Sequence, residues 1–275
     1  MPTAVITGGT LGLGAAYAHH LSERGFDLVL VARDRTRLDV VAERIGRRSG
    51  VIVETIAADL TDPRERALVE LRLTDPDRPV ELLVNNAGTE CPEVFGTAPL
   101  ESLLYEIDLN IVALMCLTRA VLPGMTARGR GAVINVASFA GYLPPGGCAY
   151  GASKAWVLTF TDTVAASLSG TGVRMLAVCA GRIRSDATGG TGRSPLWLTP
   201  EQVVRSSMTD LDKGRTLSTP GWLYRGLVSF LESPRSALRL TATAAGRGRE
   251  RCARLPDRPV TAGHMASDAD GRIDR

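Results

Sequence analysis

Short apolar runs alternate along the chain with stretches in which apolar residues recur every three or four positions. Residues 4–6, 28–31, 51–57, 81–84, 132–137 and 173–179 are rich in Val, Ile and Leu and mostly lack polar alternation. Strands buried on both faces of a parallel sheet have that pattern. Between two of these runs, Leu38, Val41, Ala42 and Ile45 fall at i, i+3, i+4 and i+7 and form one apolar stripe of a helix. Asp62-Pro63 predicts a helix start, because proline lacks only an N–H that the first turn does not use. Thr199-Pro200-Glu201-Gln202 has the spacing of a capping box, and Gly25 is placed to stop the first helix. Repeated strand–helix alternation implies right-handed crossovers and an α/β fold, a doubly wound parallel sheet with helices on both faces. A ligand is then expected beyond the C-terminal ends of the strands.

Domain organisation follows from where the periodicity stops. Residues 1–243 read as a single domain. Residues 244–275 carry little large apolar side chain; the last 30 hold seven Arg and five acidic residues, and a disordered basic tail is expected. Residues 185–195, rich in Gly, Thr and Ser, read as a mobile loop, and 186–198 as a lid closed by Pro195, Leu196 and Trp197. A 275-residue chain buries a large core without disulfides or metals. Its net charge of +3 argues neither for nucleic acid nor for an anionic membrane. Cys91, Cys116, Cys148, Cys179 and Cys252 form no CxxC pair and no metal-ligand spacing. A reducing, cytoplasmic compartment is expected. A first strand beginning by Ala4 leaves no room for a signal peptide, and no run of about 18 apolar residues suggests a membrane span. His19, His20 and His264 read as structural or solvated, and no metal site is expected.

The chemistry clusters just after the strands. Thr7-Gly8-Gly9-Thr10-Leu11-Gly12-Leu13-Gly14 links the first strand to the first helix. Glycines there let the backbone approach a pyrophosphate, and the helix N-terminus offers free N–H groups. Asp59-Leu60 follows the third strand, Asn85-Asn86-Ala87-Gly88 the fourth, and Tyr150-Gly151-Ala152-Ser153-Lys154 opens a later helix. Tyr150 and Lys154, four apart, share a helix face. Lysine occurs only at Lys154 and Lys213, so a YxxxK spacing is improbable by accident. A nearby ammonium lowers the pKa of a tyrosine from its usual value of about 10.

TGxxxGxG, NNAG and YxxxK in this order resemble the short-chain dehydrogenase/reductase family over about residues 3–240, and the resemblance implies a Rossmann-type domain. It implies NAD(P) binding through Thr7, Gly8, Thr10, Leu11, Gly12, Leu13, Gly14, Asp59, Leu60, Asn86, Ala87, Gly88, Tyr150, Lys154, Ile183 and Ser185. It also implies a catalytic set of Asn110, Ser138, Tyr150 and Lys154. Tyr150 would be the acid/base, Ser138 would bond the substrate oxygen, and Asn110 would hold a relay water. Where the family binds NAD with an acidic residue after the second strand, this chain has Ala32-Arg33. A guanidinium suits a 2′-phosphate, so NADP(H) is preferred over NAD(H). Asp34 is expected to cap the next helix.

Cys179-Ala180-Gly181-Arg182-Ile183-Arg184-Ser185 departs from the family's usual Pro-Gly-then-Thr, with Ala180 in place of Pro and Ser185 in place of Thr. Arg182 and Arg184 fit either attraction of an anionic substrate or, more simply, solvated surface. Cys91, Leu143 and Cys148 fit either pocket lining or packing. The apolar stretch 222–231 is expected to pack on the body or on a partner subunit. The expected activity is NADPH-dependent reduction of a ketone to a secondary alcohol. Alternatives are alcohol oxidation with NAD(P)⁺ and a catalytically idle cofactor-binding scaffold. Members of the family commonly pair through the two long helices after Asn86 and Ser138, so the resemblance implies a homodimer or homotetramer.

Overall fold

A computed structural model describes residues 1–142, 149–184 and 197–231. The expected tail, the glycine-rich loop, most of the lid, Leu143, Cys148 and Ser185 lie outside the described residues. The elements run β1 (Thr3–Thr7), α1 (Gly12–Glu23), β2 (Asp27–Ala32), α2 (Arg35–Ser49), β3 (Val53–Ala57), α3 (Pro63–Thr74) and β4 (Leu82–Asn85). There follow α4 (Leu100–Ile107), a π-helical turn (Asp108–Ala113), α5 (Leu114–Arg128), β5 (Gly131–Val136), a 3₁₀ turn (Phe139–Gly141), α6 (Tyr150–Ser167) and β6 (Val173–Val178). Last come β7 (Arg182–Ile183), β8 (Trp197–Leu198), α7 (Pro200–Asp212), β9 (Leu217–Ser218) and a helical segment, 222–231.

Seven strands form one sheet in the order β3-β2-β1-β4-β5-β6-β9, every pairing parallel. The order reverses beside β1, which makes the crevice between β1 and β4 the topological switch point where ligands bind in such sheets. The expected strands agree with the observed ones to within one or two residues.

Alternation along each strand sorts side chains between two cores. Ala4, Ile6, Leu28, Leu30, Val84 and Ile134 point to one face, against Tyr17 and Leu21 of α1, Leu38 and Ile45 of α2 and Val203 and Met208 of α7. Val5, Val29, Leu83 and Val133 point to the other, against Val69 of α3 and Leu117, Val121 and Met125 of α5. Each fully buried Leu, Ile or Val contributes roughly 1.5–3 kcal/mol, so these faces set the register. The expected caps are present. Asp34 accepts from Arg37 N at 2.9 Å and Asp62 from Arg64 N at 2.7 Å. Thr199 and Gln202 bond each other's backbone reciprocally.

The continuous helix Leu100–Arg128 is, among the described residues, the one element long and apolar enough by length and composition to cross a membrane. Here it lies in the fold, with Leu103, Leu114, Leu117, Val121 and Met125 buried. The 222–231 segment is only partly as expected. Tyr224 and Val228 are buried, whereas Trp222 and Phe230 are 75% and 80% exposed, because only the side chains one turn apart on the inner face meet the body.

Candidate active site

The glycine turn is locked to the end of β4. Thr7 is buried, and its Oγ1 accepts from Asn86 N and Ala87 N, both at 3.0 Å. Asn86 Nδ2 donates back to Thr7 O at 2.9 Å and to Gly8 O at 3.2 Å. Gly12 has φ +52 with open space where a Cβ would stand, so glycine serves conformation there. Gly14 is required for space, since a Cβ would lie 2.1 Å from Gly8 O and 2.6 Å from Asn86 Nδ2. Leu13 departs from the expectation: its side chain packs in the core, leaving only its backbone to face a ligand. Leu11 precedes α1 without any side-chain cap on the helix, so the first N–H groups of α1 are open to an anion.

A cleft of about 340 Å³ runs over this turn, lined by Thr10, Leu11, Arg33, Asp59, Gly88 and Tyr105 among others. Leu60 and Ala87 line it too. Arg33 NH1 donates to Tyr105 Oη at 2.7 Å, a contact between the end of β2 and α4. Asp59 is tied into its own turn, accepting from Thr61 N and Thr61 Oγ1 at 3.0 and 2.8 Å. An open helix N-terminus, a turn with no room for a Cβ at Gly14, and a cation where an acid would repel phosphate fit a phosphorylated dinucleotide.

The second half of the site is built on α5 and α6. Asn110 lies in the π turn rather than in regular helix. It is buried, accepting from Thr89 N at 2.9 Å and donating to Thr89 O at 2.8 Å and Ser153 Oγ at 3.1 Å. Ser153 Oγ in turn donates to Tyr150 O at 2.8 Å, linking Asn110 to the first turn of α6. Lys154 is 5% exposed, with Nζ donating to Val136 O at 3.1 Å and lying 5.5 Å from the centre of the Tyr150 ring. Burial pushes its ammonium down to about 8, and the Glu106 carboxylate opposes that shift. A methyl on Gly88 would sit 3.0 Å from Asn110 Oδ1 and 3.3 Å from Lys154 Nζ, so these groups converge on the NNAG backbone.

Ser138 caps the 3₁₀ turn after β5 through Ala140 N at 3.2 Å. Gly141 of that turn lies so close to α6 that a Cβ would be 2.9 Å from Ala155 N, which seats the serine's turn beside the helix carrying Tyr150 and Lys154. Phe139 N donates to Ala180 O at 2.9 Å, and the Phe139 ring packs edge-on against Tyr224 at 5.1 Å. Tyr224 lies flat against Gly181 and accepts from Arg182 N at 3.2 Å. The loop lacking the usual proline is held this way instead. Ile183, in β7, pairs with Leu198 of β8, and Arg182 stacks over Trp197 at 5.8 Å, which places that guanidinium on a surface aromatic.

Three features escaped the sequence reading. Asn85 belongs to a buried polar ladder, with Nδ2 donating to Thr118 Oγ1 at 3.0 Å and Asn135 Oδ1 at 2.9 Å, and Asn135 Nδ2 to Thr161 Oγ1 at 3.0 Å. Tyr105 holds Arg33. Glu106 is wholly buried and accepts from Cys91 N at 2.9 Å, while Cys91 Sγ donates to Glu93 at 3.1 Å; Cys91 is thus packed rather than open. The signal for Glu106 was a charge in line with Leu103 and Asn110 on a buried helical stripe.

The family model for short chain dehydrogenases matches residues 2–194. The chain belongs to the short-chain dehydrogenase family. It is 33% identical to the 17-beta-hydroxysteroid dehydrogenase type 3 of Danio rerio over 217 residues, 77% of this chain and 70% of that protein. A short-chain dehydrogenase from Sphingobium yanoikuyae, solved in complex with NADPH, superposes with a TM-score of 0.79 at 34% identity, covering 94% of this chain and 99% of that one. The bulky-bulky ketone specific alcohol dehydrogenase from Comamonas testosteroni matches with a TM-score of 0.79 at 30% identity, covering 94% and 99%. This short-chain dehydrogenase is accordingly an oxidoreductase acting on CH–OH and C=O groups.

Proposed function

We propose that the enzyme reduces a ketone to a secondary alcohol with NADPH, or runs the reverse reaction, with Tyr150 as its acid/base. The observation that carries this reading is the buried Lys154 beneath the Tyr150 ring, with the Tyr150 backbone carbonyl joined to Asn110 through Ser153. When bound, NADPH supplies the hydride that goes to the carbonyl carbon. Tyr150 Oη gives its proton to the carbonyl oxygen as the C=O pair moves onto it. Lys154 stabilises the phenolate left behind. Ser138 Oγ donates a hydrogen bond to the same substrate oxygen, and Asn110 fixes the Thr89 backbone and the start of α6.

Preference for NADP(H) over NAD(H) rests on Arg33, steadied by Tyr105, following Ala32 where an acidic group would repel the phosphate. Glycine turn, Asp59-Leu60, Asn86–Gly88 and the backbone of Ile183 complete the proposed cofactor contacts. Thiols such as Cys91 and Cys116, not joined in disulfides, suit a reducing, cytoplasmic setting. The chain forms a homodimer or homotetramer through α5 and α6, where Met115, Leu122, Phe160 and Val164 line an apolar depression of about 730 Å³; a monomer by light scattering at micromolar concentration would overturn that assembly.

The activity is tested by mixing purified protein with NADPH and a panel of aromatic, steroidal and aliphatic ketones and following absorbance of the cofactor. Ketone-dependent oxidation of NADPH, faster than with NADH, is expected. Tight NADPH binding with no turnover on any ketone or secondary alcohol would favour the idle scaffold instead.

A further inference from the structure

The turn that carries Ser138 and the loop that carries Ile183 are far apart in sequence and meet at the C-terminal ends of β5 and β6. A backbone bond joins them directly, from Phe139 N to Ala180 O at 2.9 Å. A single side chain then bears on both. Tyr224 is buried in the segment 222–231, with its ring edge-on to Phe139 at 5.1 Å between centroids. A Cβ on Gly181 would collide with three carbons of that ring, and the Tyr224 hydroxyl accepts from Arg182 N at 3.2 Å. Val228, one turn on, anchors the segment in the cluster that holds Ala137 and Cys179, the residues just before Ser138 and Ala180. Where the family usually has proline, the chain has Ala180, whose φ no side-chain ring fixes.

We infer that Tyr224 is a positioning residue for the reaction: it holds the Ser138 turn and the 180–183 loop in one geometry, and supplies from outside the loop the restraint that Ala180 does not. This rests on the proposed roles of Ser138 and of the Ile183 backbone. Ser138 Oγ bonds the substrate oxygen while the loop seats the nicotinamide, so the spacing of turn and loop sets how hydride and carbonyl align. A reacting constellation tolerates displacements of only about 0.5 Å, and a misplacement of about 1 Å can cost roughly a hundredfold in rate. Ring and hydroxyl do separate parts of this. The ring fixes where Phe139 lies, and the hydroxyl holds the Arg182 N–H next to Ile183. Gly181 belongs to the same device, because it leaves the ring its room.

Tyr224→Phe keeps the ring and removes the acceptor, whereas Tyr224→Leu removes both. Hydrogen exchange at the Arg182 amide, with an amide inside β1 as reference, should be about 3- to 10-fold faster in Tyr224→Phe, as expected for one lost hydrogen bond. Ketone turnover at saturating NADPH should fall severalfold in Tyr224→Phe and about tenfold or more in Tyr224→Leu. Adding Ala180→Pro to either variant should restore part of the lost turnover, because the proline ring fixes φ where the tyrosine no longer restrains the loop. An Arg182 amide exchanging at the wild-type rate in Tyr224→Phe overturns the inference, as does unchanged turnover in both variants. Turnover that is lost but not recovered at all by Ala180→Pro overturns it too, since that marks a residue supporting the fold alone. Tyr224→Phe carries the test by itself if the leucine variant does not fold. The exchange measurement needs neither cofactor nor substrate, so a wrong role for Ser138 would show separately, as full turnover in Ser138→Ala with the Tyr224 effect on exchange intact.

Discussion

Replacing Arg33 with alanine should convert an NADPH-preferring protein into one that scarcely distinguishes the two cofactors. Arg33 follows the last residue of β2, exposed at the rim of the cleft, and one of its nitrogens is committed to Tyr105 Oη. Arg37, the other arginine lining the cleft, has its Nε 3.7 Å from Asp34 and is partly neutralised. A charge-assisted hydrogen bond contributes about 1.5–3 kcal/mol. Solvent screening at an exposed site takes part of that, leaving about 1–2 kcal/mol, or roughly a 5- to 30-fold weaker Kd for NADPH. NADH, without the 2′-phosphate, should bind both proteins within about twofold. Calorimetric titration of wild type and Arg33→Ala with each cofactor measures this, at about 0.1 M and 1 M salt. The gap should narrow at high salt as the Debye length shrinks from about 10 Å to about 3 Å. Equal losses for both cofactors, or none for NADPH, would refute Arg33 as the reader of the phosphate.

Other expectations follow from the same geometry. Gly14→Ala drives a methyl into Gly8 O and Asn86 Nδ2, so dinucleotide binding should be lost and the thermal midpoint lowered by an overpacking cost of about 1–3 kcal/mol. Asn135→Leu leaves Asn85 Nδ2 with Thr118 alone and Thr161 Oγ1 without its donor; urea unfolding should register a loss of about 2 kcal/mol. The rate of ketone reduction should be flat well below pH 8 and fall as pH rises past about 8, where the depressed Lys154 gives up its proton. The sign is fixed because the active form is the charged one, and burial disfavours that form; a rate that rises through this window would contradict it.

The fold was legible because it rests on local periodicity. Buried parallel strands announce themselves as unbroken apolar runs, and Asp34, Asp62 and Thr199 mark helix starts by side-chain chemistry alone. The glycine turn and the Tyr150–Lys154 pair were equally legible, since spacing along one turn or one helix fixes them. What escaped depends on contacts distant in sequence or on register. Arg33 and Tyr105 meet across 72 residues, and the Asn85–Asn135 pair exists only because β4 and β5 align in that register. The π turn at Asp108–Ala113 changes the angular position of Asn110 by adding a residue to a helical turn, which a 3.6-residue period does not reveal. Leu13 sits inside the motif for a nucleotide, yet its side chain belongs to the core, because α1 turns that face toward the sheet.

The most direct test of the central claim is a comparison of Tyr150→Phe with wild type, measuring NADPH affinity by fluorescence and the rate of ketone reduction on the same preparations. The account predicts an NADPH Kd within about twofold of wild type and a turnover number at least about a hundredfold lower, since the ring stays and only the proton donor goes. A variant that turns over at the wild-type rate would show that the proton comes from elsewhere and would remove Tyr150 from the mechanism.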